Sequence, residues 1–284
     1  MVTGFFPPAP AAAGRHADMN RRGLLRLAGG GLAGTLLPIG VTSALAEEAE
    51  VVDPSITVET VTYPGRRTPL KGYVARPKGA PAKRPAVIII HEVRGINAHF
   101  RDLARRLAVE GFLAFVPELA SGQGTFAEGA DEIRDYLQKL TPIEIAAEYQ
   151  SASEFIVRQP DCSGAVGVIG FVWGGAVAAQ LAAMPSKPVR AAVIYYSLPS
   201  SLDLVPKFLA AVQLHYAEQD PRTQPQIEPI EKKLIGYSKV YEQYVYEGAR
   251  PNFANESLPK WYNKKQADLA WERTVSFLKR QLGG

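Results

Sequence analysis

The stretch Val168-Ile-Gly170-Phe-Val172-Trp-Gly174-Gly-Ala176 constrains this chain more than any other. A β-branched run leads into it, small residues follow it, and glycines stand two places either side of Val172. That spacing suits a sharp corner from a buried strand into a helix, where the flanking positions must lack side chains for the two backbones to pass. The chain is thereby committed to a layered fold in which a strand inside a sheet feeds directly into a helix packed on it. Enzymes that use such a corner place an attacking serine or cysteine at its centre. Here the centre is valine, with no proton to lose and no atom to attack with. The corner is expected; its usual chemistry is not.

Around the corner, apolar runs alternate with amphipathic ones. Ile56–Tyr63 and Leu70–Arg76 read as antiparallel strands joined by a turn at Pro64-Gly65. Ala86–His91 is apolar without alternation and rich in β-branched residues, the mark of a strand covered on both faces. A helix over about 97–110 follows, stopped by Gly111, and then a strand over Phe112–Pro117. Helical stretches over about 127–139 and 142–158 precede the corner strand Gly164–Phe171 and its helix Gly174–Met184. Val189–Tyr195, Leu209–His215 and Lys239–Tyr246 complete the strands. Tyr262–Leu282 is a closing helix with Leu269, Val275, Phe277 and Leu278 on its apolar face. This alternation predicts an α/β fold, a single domain over 56–282 with a mostly parallel sheet and helices on both faces. Sites in such sheets lie at the C-terminal strand ends. His91, Glu92, Val172, Asp220 and the loop after Tyr246 should meet there.

Composition excludes several classes of function. The net charge of +4 is mostly N-terminal, since residues 1–46 hold Arg15, Arg21, Arg22 and Arg26 against Asp18. No basic stripe remains to hold nucleic acid. Asn20-Arg21-Arg22-Gly-Leu-Leu-Arg26 is a twin-arginine pattern, followed by an apolar, glycine-rich run to about Val41 and a cleavage site at Ala44-Leu-Ala46. Residues 1–46 thus read as a targeting segment for a periplasmic or exported product, with Met19 an alternative start. Pro38 and the glycines interrupt the run, so a membrane is a partner only through this segment if it is uncleaved. Residues 47–55 read as a flexible junction. A single cysteine, Cys162, excludes an internal disulfide and sits at the far end of the corner strand. The four histidines have no zinc-site spacing, and no phosphate-cradling glycine loop lies between a strand and a helix. Neither metal nor cofactor is expected.

From residue 55 to 282 the sequence resembles the dienelactone hydrolase family of α/β-hydrolases. The resemblance rests on Ile90-His91-Glu92-Val-Arg94-Gly95-Ile-Asn97, on Arg101-Asp102-Leu-Ala-Arg-Arg-Leu-Ala108 and on the corner. Leu214-His-Tyr-Ala-Glu-Gln-Asp220, Tyr246-Glu-Gly-Ala249 and Ala267-Asp-Leu-Ala-Trp271-Glu-Arg273 extend it. It implies an α/β-hydrolase fold and ester or lactone hydrolysis by a cysteine or serine, a histidine and an aspartate. The aspartate matches Asp220, but the nucleophile position is Val172. In the Gly-Ala-x-His-x-Phe pattern this chain reads Gly248-Ala249-Arg250-Pro251-Asn252-Phe253, which puts Pro251 at the histidine position. The resemblance also assigns Glu92 to a glutamate beside the nucleophile, and the oxyanion-binding amides to Val93 and Trp173. Arg94, Arg101 and Arg250 are candidates for holding a substrate carboxylate, Arg101 being more simply a solvated helix charge.

A triad works because the histidine takes the nucleophile's proton while the acid orients the histidine. Losing such a unit removes on the order of 10⁶ in kcat. Two readings follow. The first is a non-catalytic relative that binds a small ester, lactone or carboxylate. The second is a hydrolase that activates water at an unorthodox site around Glu92 and Asp220. Val172 should strain the corner by about 1–3 kcal/mol unless the turn relaxes to negative φ. Arg250 is expected to reach Asp220 and neutralise it. His91 should point away from Glu92, His215 reads as a hydrogen-bonded core residue, and Ser197, Ser200 and Ser201 read as cap and turn residues.

Overall fold

The computed structural model describes residues 52–79, 83–185 and 189–283. The targeting segment and the start of the junction lie outside these residues. Asp53-Pro54-Ser55 forms a turn in which the Ser55 amide donates to the Asp53 carboxylate at 2.8 Å, and the first strand starts from it.

Strands β1 (Ile56–Pro64) and β2 (Pro69–Pro77) pair antiparallel in the expected hairpin, with Pro64 opposite Pro69. Strand β3 (Arg84–Ile90) is buried from Pro85 onward, which is why its sequence lacks alternation. Helix α1 (Ala98–Val109) is capped by the Asn97 side chain, which accepts from the Phe100 amide at 3.2 Å. Its apolar face, Phe100, Leu103, Ala104 and Leu107, lies against the sheet. Strand β4 (Leu113–Glu118) follows, then helices α2 (Asp131–Leu137) and α3 (Pro142–Val157). The first of these is shorter than expected because Gly129 takes φ +72° and Ala130 is extended, so no helix can run through them. Thr141 and Glu144 close a reciprocal cap on α3, with Pro142 at its first position.

Strand β5 (Cys162–Phe171) and helix α4 (Trp173–Ala182) are separated by Val172 alone. Strands β6 (Val189–Tyr195) and β7 (Ala211–Ala217), helix α5 (Gln224–Gly236), strand β8 (Tyr241–Tyr246) and helix α6 (Lys264–Leu282) complete the fold. The sheet order is β1-β2-β4-β3-β5-β6-β7-β8. Only β2 runs antiparallel to its neighbours, and from β4 to β8 every pairing is parallel. This is the α/β-hydrolase arrangement. Register aligns the strand ends that matter, with Ile90 beside Gly170, Phe171 beside Tyr195, Tyr195 beside His215 and Ala217 beside Tyr246.

Two expectations need correction. Helix α5 is absent from the sequence reading because Pro225 and Pro229 argue against a helix. Pro225 falls in the first turn, where no amide is needed, and Ile230 and Leu234 bury the inner face beyond it. On α6, Leu269 is 36% exposed and does not belong to the buried face, which consists of Ala270, Thr274, Val275, Phe277, Leu278 and Leu282, so the other three expected residues do face inward.

Candidate active site

The corner is built by close approach. A Cβ on Gly170 would lie 2.1 Å from the Gly174 carbonyl oxygen, and one on Gly174 would lie 2.4 Å from that of Ile90. A Cβ on Gly175 would meet Ser197 at 2.5 Å. The glycine frame is therefore a steric requirement of passing β5 into α4 beside β3 and β6. Val172 takes φ +51° and ψ −109°, so the turn has not relaxed. Its amide donates to the Tyr195 carbonyl at 3.1 Å, and its own carbonyl accepts from Gly175 at 3.1 Å. Its side chain is partly buried against the core cluster that includes Phe171 and Tyr195. The sheet and the packing hold a strain that valine tolerates badly.

Glu92 follows β3 in a tight turn closed by the Gly95 amide donating to its carbonyl at 3.0 Å. Val93 lies inside this turn, and Trp173 opens α4, so both amides expected to bind an oxyanion come from the C-terminal end of the sheet. Burial of the Glu92 carboxyl pushes its pKa up to about 7. His91 is fully buried, and its Nδ1 lies 2.7 Å from the Glu92 carbonyl oxygen. A carbonyl only accepts, so Nδ1 carries the proton. The ring stacks on Trp173 with centroids 6.2 Å apart. Desolvation lowers its pKa to about 4 and keeps it neutral. His91 is thus spent on fixing the turn that presents Glu92.

Asp220 follows β7 and is fully buried. Its partner is not Arg250 but Arg222. The Arg222 guanidinium donates to both carboxylate oxygens at 3.0 Å, Nε to Oδ1 and a terminal nitrogen to Oδ2, and its backbone amide adds a third bond to Oδ1 at 3.0 Å. Arg250 turns instead to the Gln219 side chain at 3.0 Å and lies over the Trp261 ring. The loop carrying Pro251 is pinned beside Asp220, because the Gln219 amide donates to the Ala249 carbonyl at 2.9 Å. The loops that carry positions 220 and 251 are therefore joined side by side.

The remaining candidates fall into place. Arg94 is engaged by the Gly129 carbonyl and Asp131, both at 2.8 Å, and Arg101 by Glu128 at 2.6 Å. His215 lies in a buried network, bonded to Tyr246 at 2.7 Å and Gln213 at 2.8 Å. Ser197 packs on Gly175, while Ser200 and Ser201 are exposed turn residues. Cys162 is buried at the start of β5, at the opposite end of the sheet from the corner. Among the described residues, no three His, Cys, Asp or Glu side chains come together as metal ligands, and no helix is long and apolar enough to cross a membrane.

Two residues here escaped the sequence reading. Arg222 was visible in Asp220-Pro221-Arg222, where an aspartate two residues before an amide can close an Asx turn. Tyr196 gave no signal. It takes φ +49°, accepts the Ala254 amide at 2.9 Å on its hydroxyl, and lies within electrostatic reach of Glu92.

The family model described as "Dienelactone hydrolase family" matches residues 70–282. A protein of Salmonella typhi named "Putative carboxymethylenebutenolidase" is 28% identical over 246 residues, covering 82% of this chain and 90% of its own. Its namesake in Saccharolobus solfataricus is 26% identical over 256 residues, covering 78% and 97%. The crystal structure of a "Putative Dienelactone Hydrolase" from Klebsiella pneumoniae is 27% identical with a TM-score of 0.70, and covers 78% of this chain and 98% of that one.

Proposed function

This chain belongs to the dienelactone hydrolase family, and we propose that within it the chain is an exported binding protein for a small ester, lactone or carboxylate, without acyl-enzyme chemistry. The observation that carries this reading is the occupation of Asp220. A triad acid must offer an oxygen to a histidine, and here both oxygens are taken by Arg222. With Val172 and Pro251 at the other two positions, nucleophile, base and acid are each out of service. What persists is a corner whose backbone amides need no particular side chain to meet an oxyanion. The twin-arginine segment supports export in the folded state. No cofactor is needed.

The test is turnover of p-nitrophenyl acetate and a dienelactone by the full chain, by Val172→Cys with Pro251→His, and by that pair with Arg222→Gln added. The unmodified protein should be inert, the pair weakly active, and the triple variant more active, since an unavailable acid alone costs about 10⁴-fold. Turnover by the unmodified protein would overturn the proposal. A second reading has its own support, because a carboxylate with a pKa raised to about 7 suits a general base that activates water. Turnover that rises with pH through about 7 and vanishes in Glu92→Gln would establish that reading. Export is tested separately by cell fractionation, where Arg21→Lys with Arg22→Lys should retain the product in the cytoplasm.

A further inference from the structure

We propose that β8 is the interface of a homodimer, in which a second copy of this chain pairs antiparallel with it about a two-fold axis at Gln243. Among the described residues β8 is the last strand of the sheet and pairs with β7 alone. A strand residue sends its N–H and C=O to the same side, and successive residues alternate. The carbonyls of Val240 and Tyr246 accept from the Val212 and Glu218 amides at 3.0 and 3.2 Å, so the even-numbered residues serve β7. Tyr241, Gln243 and Val245 turn theirs to the outer edge.

Exposed edges are ordinarily blunted by proline, by a bulge or by a charge set across them. Residues 239–247 contain no proline, and the register with β7 runs from Tyr241 to Tyr246 without a shift. The one charge within the strand, Glu242, turns to the opposite face, where it accepts from the Gln213 side chain at 2.8 Å and pairs with Arg280. Val245 is left 47% exposed.

The residue series along the edge identifies what fits it. Lys239, Tyr241, Gln243, Val245 and Glu247 share one face. Laid antiparallel on a second copy, this series sets Lys239 opposite Glu247 and Tyr241 opposite Val245 on either side of a Gln243 pair. Opposite charges and aromatic with β-branched residues are combinations that stabilise facing strands. In the same register all three outward residues of each β8 form hydrogen-bonded pairs, so every outward amide and carbonyl finds a partner. An axis at 242 would set Glu242 against Glu242, and one at 244 would carry Lys239 past the strand to Ala249. Lys239 spends one N–H on the Phe208 carbonyl at 2.9 Å and keeps two for the opposing Glu247. The Gln243 Oε1 is buried with no hydrogen-bond partner among the described residues, and the side-chain amide of the second Gln243 supplies one. None of Glu92, Val172, Asp220, Arg222 or Pro251 belongs to β8, so the assignment is independent of the function proposed above.

The test is sedimentation velocity of the full chain, which should pass reversibly from monomer to dimer over about 1–100 µM. Val245→Lys, at an exposed position, should weaken the dimer at least about tenfold. Lys239→Glu and Glu247→Lys should each weaken it at least about fivefold by setting like charges opposite, and the two together should restore it to within about threefold of the unmodified chain. That restoration decides the matter even if Val245→Lys fails to fold. Hydrogen exchange at the amides of Tyr241, Gln243 and Val245 should slow as the dimer forms. The proposal is overturned by a monomer throughout, including one whose β8 amides exchange slowly because another segment of the chain lies on the edge. It is equally overturned by a dimer that folded Val245→Lys leaves intact, or by a double charge reversal that binds no tighter than the single ones.

Discussion

Replacing Val172 by glycine should cost the fold less than replacing it by alanine, the reverse of the order at an ordinary strand position. Val172 takes φ +51° and ψ −109°, a region that glycine enters freely. A side chain there costs about 1–3 kcal/mol, and alanine keeps most of that strain. Glycine removes it, at a backbone entropy cost of about 0.5–1 kcal/mol. The partly buried methyl that alanine would retain contributes less than about 0.8 kcal/mol. The balance puts glycine ahead by about 1 kcal/mol. Val168 is the control, fully buried in the regular part of β5. There alanine should be ahead of glycine by about 1–2 kcal/mol, because the methyl is fully buried and no strain is relieved. The swing between the two sites is then about 2–3 kcal/mol, or roughly 4–12 °C in Tm for a domain of this size. Urea denaturation of the four variants, followed by tryptophan fluorescence, measures it. A Val172→Ala protein more stable than Val172→Gly by the margin seen at position 168 would refute the argument, and would mean that the corner is not strained in solution.

Three further outcomes can be measured. Arg222→Gln strands a buried carboxylate and should lower stability by about 1–3 kcal/mol in urea denaturation, more than Asp220→Asn, which removes the charge itself. For Glu92 the folded pKa of about 7 lies above the usual value of 4.5, so ionising it opposes folding. Its cost is absent below about pH 4.5 and fully present above about pH 7; Glu92→Gln should raise the Tm at pH 8 and leave it unchanged at pH 4, and an equal rise at both would contradict the shift. Gly174→Ala should fail to fold or lose more than about 3 kcal/mol by circular dichroism melting, since its Cβ would stand 2.4 Å from a backbone oxygen of β3 that cannot swing away.

The fold was legible where burial writes itself directly into residue type. Ala86–Ile90 and Val166–Phe171 are apolar because both faces of the sheet are covered, and Gly170 and Gly174 are glycine because a Cβ would collide with backbone. Helix α5 was hidden because local propensity and tertiary context disagree there. Its prolines argue against a helix, yet Pro225 sits in the first turn, and the helix carries Pro229 in its interior; the spacing of Ile227, Ile230 and Leu234 was the signal to follow. At the site, backbone-determined positions were readable and side-chain partnerships were not. Arg250 adjoins Pro251 in sequence and was expected to neutralise Asp220, but the direction of its side chain depends on a loop pinned by the Ala249 carbonyl. Arg222 reaches Asp220 through a turn of the chain on itself, which residue spacing permits without requiring.

That turn bears on how such a chain can drift. A buried acid that has lost its histidine is a liability, and the next substitution that removes it would ordinarily be favoured. By drawing its counter-ion from two residues along the same loop, Asp220 is relieved of that pressure without help from any other element. Its charge is met within one loop, whatever residue stands at position 251. In any relative that carries the same Asp-Pro-Arg sequence, the residue two places after the aspartate is therefore the one to read first.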